Sequence, residues 1–337
     1  MIGSVSLDLD DLWSYLKTYG DPAWVDRPSY LRLVVPRILD HLDHCGLPIT
    51  FFVVGSDAAR PEHCDLFKMI VDRGHEVASH SYEHDCWLHE YSPADLDTEL
   101  LRAEVAIEGA TGARPRGFRG PGFSWSVDLL AALQRRGYDY DASTLPTYLG
   151  PLARFYFLAS SPLTGEERDR RRQLFGGWRE GTRPAKPYYW EWSDGRRLLE
   201  IPVTTIPGIK LPFHLSYLIY LRRFSRLAMR CYLEAAAAAC RVTRTAPSFL
   251  LHPLDFLDGN EVPSLRFFPG MGLTLETKLA SAREALEALG RHFELGPMGR
   301  HALIAATASA RVVRLGASPR NGHDTHGAAR RSARTES

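Results

Sequence analysis

Four short clusters in this chain hold residue types that can do chemistry. The first is Asp8-Leu9-Asp10-Asp11, at the end of the apolar run that begins at Ile2. Alternate side chains of an extended strand share a face, so Asp8 and Asp10 point into one pocket while Leu9 turns to the packing layer. Two carboxylates that close need a cation or a shared proton. Acidic residues at a strand end also serve as helix caps or solvated turns, so this cluster alone does not decide. The second is His80-Ser81-Tyr82-Glu83-His84. On a helical turn that spacing sets two imidazoles side by side, the arrangement by which two histidines bind one transition metal. A carboxylate from the first cluster completes a two-histidine, one-carboxylate set with coordination positions left open, as a catalytic metal requires.

The third cluster is Arg119-Gly120-Pro121-Gly122-Phe123. A guanidinium can pair with a catalytic carboxylate through its planar fork, and glycines let backbone N–H groups approach a developing oxyanion. A simple turn would use the same residues. The fourth is His252, in Leu250-Leu251-His252-Pro253 with Asp255 beyond it. A strand-end histidine can act as a general acid, although such histidines also serve structure alone.

These clusters need elements to carry them. Ile2 to Leu9 reads as a strand, residues 30 to 44 as a helix through the repeat of Leu31, Val34, Ile38 and Leu42, and Ile49 to Val54 as a second strand. A helix from Pro61 to Arg73 closes at Gly74, and His75 to Ala78 is a short buried strand. A helix follows Ser92-Pro93, a strand lies near Arg116 to Arg119, a helix runs from Ser126 to Arg136, and a strand lies around Tyr138. Later strands are expected at Leu198 to Val203 and Ser248 to His252. Strand and helix alternate throughout, which predicts parallel strands with their C-terminal ends, and every cluster above, on one face. Residues 151 to 195 break the rhythm and are expected to form a long loop or lid. From about Ser318 to the end the composition loses apolar periodicity and is expected to be disordered.

The composition bounds the function. With 337 residues, 45% of them hydrophobic, the chain can bury a substantial core. Its formal charge of +1 gives no global field toward nucleic acid. The cysteines (Cys45, Cys64, Cys86, Cys231, Cys240) show no C-x-x-C spacing, which argues against a cysteine-built zinc site or a disulfide framework. No cationic stretch followed by an apolar core opens the chain, and no run approaches the roughly 18 apolar residues of a membrane span, so a cytoplasmic protein is expected.

Taken in order between Asp8 and His252, these motifs resemble those of the polysaccharide deacetylase (NodB-homology, carbohydrate esterase 4-like) family: an aspartate pair, H-x-x-x-H, R-x-P, an Asp/Ser segment and a late Leu-His. Asp139 to Pro146, with Asp141 and Ser143, fits the Asp/Ser segment. The resemblance implies an α/β fold, a distorted (β/α)7 barrel over residues 1–310, and removal of acyl groups from sugars. The usual aspartate motif has adjacent aspartates; Asp-Leu-Asp is similar to a D-x-D branch that also includes amide hydrolases. Carried over to this chain, the resemblance implies Asp8 as base and Asp10, His80 and His84 as ligands of a divalent metal, zinc by preference. The other register makes the pair Asp10 and Asp11, with Asp11 the alternative ligand. Arg119 orients the base, Pro121, Gly122 and Phe123 face substrate or oxyanion, and His252 protonates the leaving amine.

Residues 212–240 form an amphipathic helical segment with Leu215, Leu218, Leu221, Phe224 and Leu227 on one stripe and Arg222, Arg226 and Arg230 on another. Such a segment can touch an anionic membrane, which makes an N-acylated glycolipid or other lipid-linked sugar at the cytoplasmic face a natural substrate, beside soluble N-acylated sugars. Tyr188 to Trp192 can stack on sugar rings or anchor a core. The rival readings are hydrolysis of a linear or cyclic non-sugar amide on the same fold, and non-catalytic carbohydrate binding.

Overall fold

The structure, a computed structural model, describes residues 1–150, 163, 165, 177–308 and 310–315. Its strands are β1 (Ile2–Leu9), β2 (Thr50–Val53), β3 (Glu76–Ser79), β4 (Gly117–Phe118), β5 (Tyr140–Asp141), β6 (Tyr188–Glu191), β7 (Arg197–Glu200), β8 (Ser248–Leu251), β9 (Glu294–Gly296) and β10 (Arg311–Arg314). They form one sheet in the order β10-β6-β7-β5-β4-β3-β2-β1-β8, with β9 paired to β1. Every pairing is parallel except β6 with β7. Helices Leu31–His44, Cys64–Asp72, Pro93–Thr111 and Val127–Arg135 connect the early strands, as their periodicity predicts.

Because both of its faces are covered, β1 is buried along its whole length, as a central parallel strand requires. One face sends Val5, Leu7 and Leu9 into the main core with Val34, Ile38, Leu42, Phe51, Val53, Phe249 and Leu251. Each such fully buried side chain stabilises the fold by about 1.5–3 kcal/mol relative to exposure. The opposite face carries Ser4, Ser6 and Asp8, all buried. That polar line is the floor on which the site stands.

Several elements differ from expectation. Residues 188–191, expected within a loop, are β6; Tyr188 and Trp190 are core residues there, so these two rings are not free to stack on a sugar. Most of the expected lid, residues 151–162, 164 and 166–176, and the tail, residues 318–337, lie outside the described residues. The 212–240 segment is two helices, Leu215–Arg222 and Arg226–Val242, because the Ser225 hydroxyl accepts the Ala228 N–H and starts the second. Beyond β8, helices Leu275–Gly290 and Met298–Thr307 complete the described chain. The strands hydrogen-bond along an open path; past β7, the Thr204 N–H reaches the Ser248 carbonyl (3.0 Å) and the Ser248 N–H reaches Thr204 Oγ1 (2.7 Å). No helix among the described residues is long and apolar enough to cross a membrane.

Candidate metal centre and active site

Strand register brings the clusters together. Asp8 lies level with Phe52 of β2, and Leu7 with Leu251 of β8, so His252 leaves its strand beside Asp8. His80, Arg119 and Ala142 each follow the last residue of β3, β4 and β5, and their N–H groups extend the ladder to Val53, Ser79 and Phe118. Parallel strands therefore deliver four distant sequence motifs to one end of the sheet.

Asp10, His80 and His84 are all buried and offer ligand atoms within 4.8 Å of one another. Asp10 Oδ1 lies 3.0 Å from His84 Nε2 and 3.3 Å from His80 Nε2. The His80 Nδ1–H donates to the Arg119 carbonyl at 2.7 Å, which turns the Nε2 lone pair of the neutral ring toward a carboxylate oxygen. Two acceptors face to face call for a proton or a cation between them. A metal-ligating histidine ordinarily donates its second nitrogen to a carbonyl in this way, so the donor set fits a divalent metal. Burial pushes the Asp10 carboxyl up, but the attraction of His84 and the hydrogen bonds from both imidazoles outweigh it and hold it well below the usual range.

The two histidines do not sit on a helical turn. Residues 80–85 are an irregular loop with Ser81 (φ 63°) and His84 (φ 53°) in left-handed conformation. Each such residue costs roughly 1–2 kcal/mol, which the surrounding contacts must offset. Glu99 supplies part of that: its carboxylate accepts the Tyr82 and Glu83 N–H groups at 2.8 and 2.7 Å. The Gly55 and Ser56 N–H groups donate to the Ser81 and Tyr82 carbonyls. A Cβ on Gly55 would come within 2.7 Å of the Ala103 backbone, so only glycine allows this approach.

Asp8 Oδ1 accepts from Arg119 Nη1 at 2.6 Å, and the fully buried guanidinium also donates to Ser6 Oγ, donates to the Ala142 carbonyl and stacks over the Phe52 ring. Asp11 stands apart from the cluster of Asp10, His80 and His84. Its Oδ1 caps helix Leu12–Tyr19 through the Leu12 N–H and also accepts the Tyr30 N–H, and burial pushes its carboxyl up to about 6. Pro121 is buried, Gly122 is left-handed at φ 59°, and Phe123 is left-handed at φ 61°. The Phe123 N–H donates to the Gly120 carbonyl at 3.0 Å, whereas the Gly122 N–H has no acceptor among the described residues. The Gly120 N–H is anchored on Ser143 Oγ, which donates to Asp141 Oδ1. Asp141 in turn neighbours Glu200, whose carboxyl is pushed well up by burial and then by the Asp141 charge.

The site also contains Ser6, Glu99, Glu200 and Tyr30, none of them marked in the sequence; the Tyr30 hydroxyl donates to the Asp10 carbonyl at 2.5 Å. The alternation of serines along β1 could have pointed to Ser6; the others carry no local pattern.

With this geometry in place, comparison with known proteins gives the class. Residues 5–140, the part of the chain that carries the aspartate, histidine and arginine motifs, match the polysaccharide deacetylase family profile. A chitooligosaccharide deacetylase from Bradyrhizobium sp. (strain ANU 289) is 36% identical over 37% of this chain and 59% of its own length. A peptidoglycan deacetylase from Helicobacter pylori (strain ATCC 700392 / 26695) is 30% identical over 41% of this chain and 48% of its own. The chain thus spans about half the length of these curated relatives. A Mycobacterium smegmatis structure assigned to the polysaccharide deacetylases aligns over 93% of this chain and 94% of its own, with a TM-score of 0.56 and 22% identity, which establishes the shared fold.

Proposed function

We propose that this protein hydrolyses an N-acyl group, N-acetyl in the first instance, from a sugar-containing substrate. The observation that carries this is the buried Asp10, His80 and His84 set beside an Asp8 carboxylate held by a fully buried arginine. A divalent cation held by Asp10, His80 and His84, zinc by the choice of two imidazoles and one carboxylate, would polarise the acyl carbonyl and acidify a water there. Asp8, fixed by Arg119, takes a proton from the attacking water. The carbonyl oxygen, negative once water has added, accepts the Gly122 N–H, the amide of this loop with no internal acceptor. His252 gives a proton to the departing nitrogen as the C–N bond breaks, leaving acetate and a free amine. On this reading the sheet is a distorted (β/α)7 barrel, and the Thr204–Ser248 hydrogen bonds support its closure.

A lipid-linked sugar at the cytoplasmic membrane face is the finer form of the proposal. Phe224 and Leu227 are 69% and 70% exposed beside Tyr220, with Arg222, Arg223 and Arg230 around them, a combination suited to an anionic bilayer surface. Flotation with anionic vesicles tests it: the wild type co-floats and the Phe224→Ser/Leu227→Ser variant does not.

Acetate release from N-acetylated chito-oligosaccharides by the metal-loaded protein, and its loss in Asp8→Asn, tests the activity. Hydrolysis of cyclic amides without release from sugars would favour the amide-hydrolase reading instead, and sugar binding without turnover would favour a binding protein.

A further inference from the structure

His252 stands at the end of β8 and is half-buried, but its surroundings come from elsewhere in the chain. The helix start at His214–Ser216 packs on it. Ser216 Oγ lies 3.2 Å from His252 Nδ1 and 2.9 Å from Asp255 Oδ1. A carboxylate only accepts, so the Ser216 hydroxyl donates to Asp255 and offers its lone pair to the histidine Nδ1–H. The other Asp255 oxygen accepts the His252 backbone N–H at 2.8 Å, and the Asp255 N–H closes the turn on the His252 carbonyl at 3.0 Å. Asp255 therefore grips His252 twice, by the backbone and through a serine. The loop that carries Asp255 is itself held by Lys278, whose Nζ donates to the Leu254 and Leu257 carbonyls at 2.7 and 2.6 Å.

From the other side His214 meets His252 edge to face, ring centroids 5.9 Å apart. It is buried, and neither of its ring nitrogens has a partner among the described residues. Burial pushes this imidazole down to about 3, so it stays neutral and adds no second positive charge beside His252.

We infer that Ser216 and Asp255 form a hydroxyl–carboxylate relay that positions His252, fixing a proton on Nδ1 so that Nε2 faces the departing nitrogen, with His214 as a neutral buttress. This rests on the proposed deacetylase reading and adds to it two positioning residues, Ser216 and Asp255, that act through His252.

The relay matters only where the leaving group needs a proton. An N-acetyl sugar expels a strongly basic amine, whereas an aryl acetate such as p-nitrophenyl acetate expels a phenolate that departs unassisted. General acid catalysis is worth about 10²–10⁴-fold, and misplacing the acid forfeits part of it. The experiment compares both substrates on metal-loaded wild type, Ser216→Ala and Ser216→Thr, with metal content and melting temperature checked for each. Expected for Ser216→Ala is a fall in kcat of about tenfold or more on the amide with KM little changed, within the general-acid range, while aryl acetate turnover is retained. Ser216→Thr, which keeps the hydroxyl, restores the amide rate. Equal falls on both substrates, no fall on either, or no rescue by threonine would overturn the relay while leaving the deacetylase reading intact. A wild type that cleaves aryl acetate but no N-acetyl sugar would overturn the reading and the relay with it.

Discussion

Arg119 has no exposed surface, and the burial of its guanidinium is tolerable only because Asp8, Ser6 and the Ala142 carbonyl surround it. Removing one partner of a buried pair strands the other, which costs about 3–5 kcal/mol. Arg119→Ala should lower unfolding stability by that order in a denaturant titration, and a change under 1 kcal/mol would show that the pair contributes little. Asp8→Asn keeps a polar partner for the guanidinium but cannot take a proton. It is expected to retain metal while activity falls by about 10²–10⁴-fold. Asp8, Asp10, His80, His84, Arg119 and His252 were legible in the sequence because each ends an apolar run or sits in a short motif. Glu99 and Ser216 were not legible: each lies within a helix whose periodicity gives no hint that one polar side chain turns inward.

The elements that carry these residues are short and rely on their neighbours. β4 and β5 are two residues long, so the Arg119–Phe123 loop is placed by register and by the Ser143 hydroxyl under the Gly120 N–H. Gly120 has an ordinary negative φ, and what fixes it is space: a Cβ would lie 2.0 Å from the Ser124 carbonyl oxygen. Gly120→Ala must push the turn outward and shift the Gly122 N–H. Activity should fall by at least about tenfold, as removal of an oxyanion donor does, with the metal retained; unchanged turnover would remove Gly122 from the mechanism. The positions of the early strands and helices followed from hydrophobic period, but the histidine loop did not. An i, i+4 pair reads as a helical turn, and only the Glu99 carboxylate and the close approach at Gly55 force residues 80–85 out of it. β6 escaped for a related reason: an aromatic run buried on a sheet has no alternation to mark it as a strand.

Across the whole molecule, burial keeps several histidines neutral. His41 and His301 are pushed down to about 4 and His214 to about 3, all mainly by desolvation. The unfolded chain binds these protons near pH 6.5 and the folded chain does not, so stability is lost as pH falls from about 6.5 toward 4. Each proton contributes a slope of about 1.4 kcal/mol per pH unit in that window. His301→Gln, which can still bond Ser4, should flatten the decline by about one such slope, and an unchanged pH profile would contradict the burial argument.

Parallel strands bring Asp10, His80 and His84 together as a candidate metal centre, and elemental analysis of the purified protein beside His80→Ala and His84→Ala shows whether that centre holds an ion. About one divalent ion per chain is expected in the wild type, the stoichiometry of a single three-residue donor set, with its loss in both variants while the fold is retained. A wild type that holds no metal and cannot be loaded with zinc, or variants that bind it as well as the wild type, would contradict it.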